Sequence, residues 1–359
     1  MSKFIIIPFF IPHMGCPFSC AFCNQWKITG VQAARPEEVI SKVDEVLSTL
    51  KGAPERIEVA FFGGSFTGLS TKQQVSWLEQ AYALKEQGKI TGIRLSTRPD
   101  YITVEILDRL ISYGVTTIEL GVQSLVDEIL EKSSRGHTSA ITYQATKLIR
   151  KYPFELIYQL MLGLPGDNQE KAYYTAKKTI QEKPDGVRIY PAVVLKDTAL
   201  AEYYSKGLYK PWTLTEAVDM GARWLGLFSY YRITVIRLGL QSTDSLRTEE
   251  ELLAGPYHPA YGELVESRLM LEQIKEVISR IRVKPQKIRI VFNSRDHSKV
   301  IGHKKANVTI LKSIFPETDI EFIPDATVNN NDLLVGSETQ TISLSRQEFL
   351  EKYRIEDEE

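Results

Sequence analysis

The chain has 359 residues, with 44 Lys and Arg against 45 Asp and Glu and a formal net charge of -1. That balance removes any global electrostatic case for nucleic acid or membrane, so a basic patch would have to be local. The length suggests one large domain plus a small one, or two of ordinary size, and a hydrophobic fraction of 43% is ample for a core.

Phe4 to Ile11 reads as a buried strand. It is apolar but short and interrupted by Pro8, and it lacks the basic leader and cleavage site of a signal peptide. No stretch approaches the roughly 18 apolar residues of a membrane span, so no membrane partner is expected. The strand delivers His13-Met14-Gly15-Cys16-Pro17-Phe18-Ser19-Cys20-Ala21-Phe22-Cys23-Asn24, which holds every cysteine of the chain at C-x3-C-x2-C spacing. Three thiols cannot pair off as disulfides, because one is always left over. With no partner elsewhere they fit a reducing, cytoplasmic setting. They can wrap a metal cluster: iron–sulfur clusters are held by cysteine thiolates, usually four, so three would leave one iron open. A structural zinc site is the alternative. Such a site usually takes four protein ligands, and no second C-x2-C follows.

Glu37 to Leu50 reads as a helix. Val39, Ile40, Val43, Val46, Leu47 and Leu50 recur at helical spacing behind Pro36, a tolerated first-turn proline. Strand Arg56 to Phe62 ends in Gly63-Gly64. Thr71 to Gln87 is helical, with Thr71 and Gln74 spaced for a capping box. Gly92 to Thr97, Thr117 to Val122, Glu155 to Leu162 and Gly186 to Pro191 read as strands. Between them Val104 to Tyr113, Val126 to Glu131, Ser139 to Arg150 and Gln169 to Gln181 read as helices. This alternation argues for parallel strands with helical crossovers. Periodicity alone does not choose between a doubly wound sheet and a (β/α) barrel.

The motifs do choose. C-x3-C-x-(aromatic)-C, with Phe22 as the aromatic, resembles the signature of radical S-adenosylmethionine (SAM) enzymes. The resemblance implies an α/β fold: a partial (β/α)6 TIM-like barrel with the cluster loop after the first strand. Functional groups should then lie at the C-terminal strand ends. It implies a [4Fe-4S] cluster on Cys16, Cys20 and Cys23, whose open iron is chelated by the amino and carboxylate groups of SAM. Reductive cleavage would give a 5'-deoxyadenosyl radical, with electrons from a donor such as flavodoxin or ferredoxin. Gly63-Gly64-Ser65 follows the second strand, where the family's glycine-rich turn meets the SAM amino group; the usual third residue is glutamate.

Three further strings resemble the radical SAM domain of the Elongator catalytic subunit and its relatives, which include the oxygen-independent coproporphyrinogen oxidase. They are Ser96-Thr97-Arg98-Pro99-Asp100, Glu119-Leu120-Gly121-Val122-Gln123-Ser124 and Arg135-Gly136-His137-Thr138. By that resemblance Ser96 and Arg98 belong to the cofactor site, Gln123 contacts the SAM ribose, and Arg135 its carboxylate, which suits an arginine fork. Gln159, upstream of Gly163-Leu164-Pro165-Gly166, would reach the ribose, and Ile189 and Tyr190 would line the adenine site. Lys196 lies where the sixth strand should open onto the pocket. It is the candidate catalytic residue, for substrate contact or proton transfer; a surface lysine is the other reading. His137 reads as a structural polar residue, since nothing local tunes it.

Tyr209 to Thr215 leads into a helix through Phe228. Val235 to Gln241 reads as a further strand, with Arg237 or Gln241 able to face substrate. Leu253 to Gly262 is rich in turn residues and aromatics and reads as a loop or linker. The expected organisation is a barrel over residues 1–250, a linker and long helix over 251–282, and a small α+β domain over 283–359. Glu263 to Ile281 is the long helix. Lys287 to Phe292, Ile320 to Ile323 and Thr339 to Leu344 read as strands, Val300 to Ile314 as a helix, and Ser345 with Glu348 caps a last one.

Within this region Val300-Ile301-Gly302-His303-Lys304-Lys305 resembles the turn through which a K-homology module clamps RNA backbone by G-x-x-G, with Lys305 at the second glycine. Arg280, Arg282, Lys284, Lys287, Arg289, Arg295, Lys299, Lys304, Lys305 and Lys312 make it locally basic; a solvated helix face is the other reading. The acidic run Glu356 to Glu359 reads as a frayed end.

With all three cysteines on one cluster, none remains for a second cluster or a thiyl relay, and no cobalamin domain is expected before the barrel. Hydrogen abstraction leading to carbon–carbon bond formation, rearrangement or oxidation remains. The Elongator-like resemblance runs from Phe4 to Gln241 and implies modification of wobble uridine in tRNA. The chain is expected to stop short of the acetyltransferase domain those relatives carry, so another protein would supply the acyl donor or the reaction differs. A radical enzyme acting on a small molecule such as a porphyrin precursor is the second reading. A non-catalytic iron–sulfur binding protein is the third.

Overall fold

A computed structural model describes residues 4–25, 28, 33–52, 54–241, 251–281, 285–337 and 340–355. Arg282, Lys284 and the acidic end lie outside these residues. The chain forms two compact units, residues 1–212 with 240–256 and residues 213–239 with 257–359.

The first unit is built on strands β1 (Phe4–Phe10), β2 (Arg56–Phe62), β3 (Gly92–Thr97), β4 (Val115–Gln123), β5 (Glu155–Leu162) and β6 (Gly186–Pro191). They stand side by side in sequence order, each parallel to the next. Parallel neighbours require a crossover between them, and helices supply it. These are α1 (Glu38–Thr49), α2 (Thr71–Glu86), α3 (Val104–Ser112), α4 (Asp127–Lys132), α5 (Ser139–Ile149) and α6 (Gln169–Glu182). The result is a partial (β/α)6 TIM-like barrel, accompanied by a small C-terminal α+β unit.

The outer strand faces explain the crossovers. Val59, Phe61, Ile93, Leu95, Ile118, Leu120, Leu156 and Val187 are fully buried, as are Leu78 and Leu107 on the helices. Each such side chain contributes about 1.5–3 kcal/mol by leaving water. Helix starts are set by local polar chemistry. Thr103 caps α3 and Asn168 caps α6. The box on α2 is formed by Ser70 and Gln73, one residue earlier than Thr71 and Gln74. Gln74 is instead buried and donates to Thr67 O at 3.1 Å and Leu69 O at 2.8 Å. Part of the expected loop at Leu253 to Gly262 is strand: Leu252–Ala254 pairs antiparallel with Val194–Leu195.

The second unit contains α7 (Leu214–Tyr230), capped by Thr213 and Glu216, and α8 (Tyr261–Ser279). Tyr261 Oη donates to Ala217 O at 2.7 Å, which ties the two helices together. The strand expected over Val235 to Gln241 is Thr234–Leu238. A separate sheet has β7 (Lys287–Phe292), β8 (Asp319–Pro324), β9 (Leu333–Gly336) and β10 (Thr341–Leu344) in the order β8-β7-β9-β10. Between β7 and its parallel partner β8 run α9 (His297–Ile301) and α10 (Ala306–Ile314). β9 was not foreseen; it joins β7 and β10 antiparallel. Ser345 and Glu348 do box the start of α11 (Arg346–Leu350).

Candidate active site at the C-terminal strand ends

The inner strand faces carry a set of polar side chains that form a floor. Residues two apart on a strand share a face. Glu58 on β2, Arg94 and Ser96 on β3, Thr117 and Glu119 on β4, Glu155 and Gln159 on β5, and Arg188 and Tyr190 on β6 follow that rule. Arg94 is 1% exposed and Glu58 and Glu119 are 0% exposed. Arg94 Nε donates to Glu58 Oε2 at 2.7 Å and its Nη1 to Glu119 Oε1 at 2.9 Å. Arg188 Nη2 donates to the same Glu119 Oε1 at 3.0 Å, and Arg56 bonds both Glu58 and Glu155. Three guanidinium groups thus face three carboxylates. Burial of this kind is tolerated only when each charge is paired and hydrogen-bonded.

Gln159 joins this floor to what lies above it. Its amide donates to Glu119 Oε2 at 2.9 Å and to Ser96 Oγ at 3.0 Å. Tyr190 is hydrogen-bonded to Arg188. Ile189 belongs to the opposite, outer face and is fully buried, so it does not line the same site as Tyr190.

Above the floor the cysteine loop leaves β1 and runs flat along the start of the second βα loop. Ile11 N–H donates to Phe62 O, His13 N–H to Gly63 O, and Ser65 N–H to Met14 O, between 2.7 and 2.9 Å. Gly64 makes this approach possible: a Cβ there would stand 2.4 Å from Met14 O and 2.6 Å from Ile11 O. The far end of the loop is pinned elsewhere. Ala21 N–H donates to Ser133 O at 3.0 Å, and Leu200 N–H donates to Ala21 O at 2.8 Å. Phe22 packs on the cluster of Ile129, Leu164 and Ala192 and on that of Val194, Leu200 and Tyr209. In this structure the motif's aromatic anchors the loop through apolar contact.

The three sulfurs sit among donors. Cys16 Sγ lies 3.5 Å from Ser65 Oγ. Arg135 Nη1 donates to Cys20 Sγ at 3.1 Å, and Arg98 Nη1 lies 4.0 Å from the same sulfur. Gln25 Nε2 donates to Cys23 Sγ at 3.5 Å. Burial and the neighbouring Cys20 push the Cys23 thiol up to about 12. Among the described residues no three His, Cys, Asp or Glu side chains converge as ligands of a single ion. A cluster makes a different demand, since each cysteine binds its own iron.

Arg98 and Arg135 form one unit. Arg98 holds Asp100 through Nε at 2.9 Å and Nη2 at 3.0 Å, and it donates to Arg135 O. Arg135 Nη2 donates to Gly121 O at 2.5 Å, while its buried Nε has no partner among the described residues. Gln123, also buried, ends β4 at φ 67°, beside a register shift between Gly121 and Gln123. Such a left-handed backbone at a non-glycine residue is strained and concentrates at functional sites. His137 is lowered to about 4, first by burial and then by the Arg135 charge, so it is neutral near pH 7. Lys196 stands apart: it is exposed, and its backbone N–H donates to Glu251 O at 3.0 Å.

Two residues of the loop escaped sequence reasoning. His13 Nε2 accepts from Gln25 N–H at 2.9 Å, and burial lowers its pKa, which suits a neutral acceptor. Gln25 then reaches Cys23. Proximity to the motif was the available signal for both. Of the strand-end candidates, Arg237 donates through Nε to Gly239 O at 3.1 Å and Gln241 is exposed.

Family comparison agrees with this geometry. The Radical SAM superfamily matches residues 10–178 and the Radical_SAM C-terminal domain matches residues 184–271. The chain belongs to the radical SAM superfamily. As a radical SAM enzyme it resembles the tRNA uridine(34) acetyltransferase of Methanocaldococcus jannaschii, 32% identical over 196 residues, which cover 49% of this chain and 36% of that protein. It also resembles Elongator complex protein 3 of Schizosaccharomyces pombe, 28% identical over 203 residues, covering 51% of this chain and 37% of that one. The match to the tRNA uridine(34) acetyltransferase of Dehalococcoides mccartyi covers 55% of this chain and 50% of the relative. This chain therefore matches between about a third and a half of the length of these relatives. Among solved structures, the archaeal Methanocaldococcus infernus Elp3 with an N-terminus deletion shares the fold at a TM-score of 0.60 and 23% identity, over 79% of this chain and 65% of that one. Among the described residues no helix is long and apolar enough to cross a membrane.

Proposed function

We propose that this radical SAM enzyme carries a [4Fe-4S] cluster on Cys16, Cys20 and Cys23, binds SAM above the polar floor, and acts on a nucleoside of tRNA. The observation that carries the cofactor reading is Arg135. Its Nη1 lies 3.1 Å from Cys20 Sγ, while its Nε is buried without a partner among the described residues. A buried orphan guanidinium nitrogen costs free energy unless an anion meets it. A carboxylate next to a thiolate-held iron fits that need, and SAM offers one. The tRNA reading is supported by the relatives whose names specify uridine(34) of tRNA.

Bound together, the cluster and SAM supply a 5'-deoxyadenosyl radical that abstracts a hydrogen atom from substrate. The chain's own residues position and shield. Phe22 holds the cysteine loop against the apolar clusters. Gly63, Gly64 and Ser65 offer close backbone to the SAM amino group. Arg98 fixes Arg135 through its carbonyl, and Arg135 turns its Nε to the SAM carboxylate. Gln123, Gln159 and Ser96 offer polar atoms to the ribose, and Tyr190 a ring face to the adenine. Lys196, exposed beyond β6, reaches for the substrate or moves a proton at its Nζ. A low-potential donor of the flavodoxin or ferredoxin type supplies the electron.

The test is anaerobic. Protein reconstituted with iron and sulfide is reduced, given SAM, and assayed for 5'-deoxyadenosine with and without bulk tRNA. Stimulation by tRNA is the expected result. Cleavage that tRNA leaves unchanged moves the substrate to a small molecule, and no cleavage in cluster-loaded protein overturns the reading.

A further inference from the structure

The second unit carries a cationic turn that the radical site does not use. α9 ends at Ile301, the chain turns through Gly302-His303-Lys304-Lys305, and α10 begins at Ala306. The turn is held from below. Asn307 is buried, and its side-chain amide lies within 2.9–3.2 Å of the carbonyls of Ser267, Lys299 and Val300. Gly302 sits at φ 80°, and a Cβ there would stand 2.9 Å from Asn307 N. Glycine is therefore required at the first turn position.

The later turn positions break that logic. Lys304 has φ 50° and ψ 33°, and Lys305 φ 62° and ψ 27°. Two successive L-residues lie in the left-handed region, where glycine would sit without strain. Both side chains are exposed, so packing does not demand lysine at either position. Strain retained at an exposed cationic turn points to a role outside the fold.

Charge accounting singles out the same place. Arg280, Lys287, Arg289 and Lys299 are all in ion pairs with acidic neighbours. Arg295, Lys304, Lys305 and Lys312 are in none among the described residues. Lys312 lies farther along α10, which begins directly after Lys305. Half of the eight described cations of the patch are thus ion-paired, and two of the other four, Lys304 and Lys305, stand side by side in the turn.

We infer that the turn Gly302–Lys305 is a clamp for the phosphate backbone of single-stranded RNA. Such a turn between two helices, with backbone and cations facing out, is how a G-x-x-G loop holds nucleotides without reading much sequence. Here lysine replaces the second glycine and adds charge where RNA backbone would lie. The inference deepens the tRNA reading above, and it can fail separately.

The test uses the full chain and fluorescence anisotropy with bulk tRNA and with a short single-stranded RNA, across a salt series. The double variant Lys304→Gly, Lys305→Gly keeps the turn's backbone and removes both charges. Its thermal midpoint should hold or rise, because the left-handed strain is relieved. Its RNA affinity should fall on the order of tenfold at low salt, and the slope of log affinity against log salt should shrink by about 1.4, near 0.7 per lost phosphate contact. SAM cleavage without RNA should not change. Wild-type affinity and slope in the glycine variant would overturn the clamp, even if tRNA still stimulates SAM cleavage. No RNA binding by the unmodified chain at low salt overturns it as well. Weakened binding in the variant with no tRNA effect on SAM cleavage upholds the clamp and overturns the tRNA-substrate reading.

Discussion

Arg94→Met tests whether the polar floor is a structural necessity. Arg94 is 1% exposed and touches two carboxylates that are 0% exposed, Glu58 and Glu119. Methionine approximates its length and fills its space, so the cavity cost is small. What is lost is two charge-assisted hydrogen bonds, worth about 1.5–3 kcal/mol each. The six-membered set of Arg56, Arg94, Arg188, Glu58, Glu119 and Glu155 also becomes one positive charge short. Breaking a buried pair from one side typically costs about 3–5 kcal/mol, which agrees with the sum of the two bonds at its lower end. The assay is urea unfolding of the full chain, with Arg35→Met as the control. Arg35 pairs with Glu38 on the surface, where both side chains are well exposed, and that loss should stay below about 1 kcal/mol. Glu58→Gln added to Arg94→Met restores neutrality and should recover part of the deficit. Should Arg94→Met cost no more than the surface control, or should the second change recover nothing, the floor is not an ion-paired unit and the reasoning fails. The same variant should weaken SAM binding, because Glu119 Oε2 also holds Gln159.

Three further outcomes can be checked independently. Gly64→Ala forces a methyl against Met14 O and Ile11 O, so the cysteine loop must shift; iron content after reconstitution should fall severalfold, and full loading would contradict the close approach. Lys196→Gln should leave 5'-deoxyadenosine release without substrate unchanged and lower the substrate-stimulated rate by roughly 10²-fold or more if Nζ moves a proton; an unchanged stimulated rate makes it a surface lysine. Asp167 is pushed up to about 7 by burial, although Gly163 N–H and Asn168 N–H donate to its carboxyl. A raised folded pKa means its contribution to stability is whole below the unfolded value of 3.8 and is lost as pH rises through about 7. Asp167→Asn should therefore show a flatter stability profile between those limits, measured by thermal unfolding; parallel profiles would sink the assignment.

How legible the site was depended on whether its partners are local in sequence. The cysteine loop declares itself because spacing along the chain is the whole signal. The alternation of strand and helix places Gly63-Gly64 and Gln123 at strand ends, and the structure puts them at the ends of β2 and β4, whereas the roles of Gln123 and Arg135 come from the family resemblance. The floor does not declare itself, because its members are remote: Arg56 and Glu155 stand 99 residues apart. A trace was present nonetheless. Parallel strands covered on both faces read as continuous apolar runs, yet β3, β4 and β6 carry Arg94, Glu119 and Arg188 at positions facing inward. The capping of α2 failed for another reason. Ser70 with Gln73 and Thr71 with Gln74 both satisfy the pattern, and tertiary packing decided by burying Gln74 against Thr67 and Leu69.

The geometry also explains why the loop needs support from so many elements. Its three sulfurs are contacted by side chains from several segments: Ser65 after β2, Arg98 after β3, Arg135 after α4, and Gln25 of the loop itself. Burial first, and then the neighbouring Cys20 and Cys16, make Cys23 resist ionisation, while the hydrogen bond from Gln25 works the other way. Arg135 and Arg98 place positive charge at Cys20, the middle of the three, and Asp100 and Gly121 O hold those guanidinium groups in position. Arg98 cannot be moved without moving Arg135, because it binds Arg135 through the backbone carbonyl. The two arginines therefore act as a brace between the third and fourth strand ends and the cysteine loop. Removing either should disturb cluster loading as well as SAM affinity, whereas a residue that only contacted SAM would affect affinity alone.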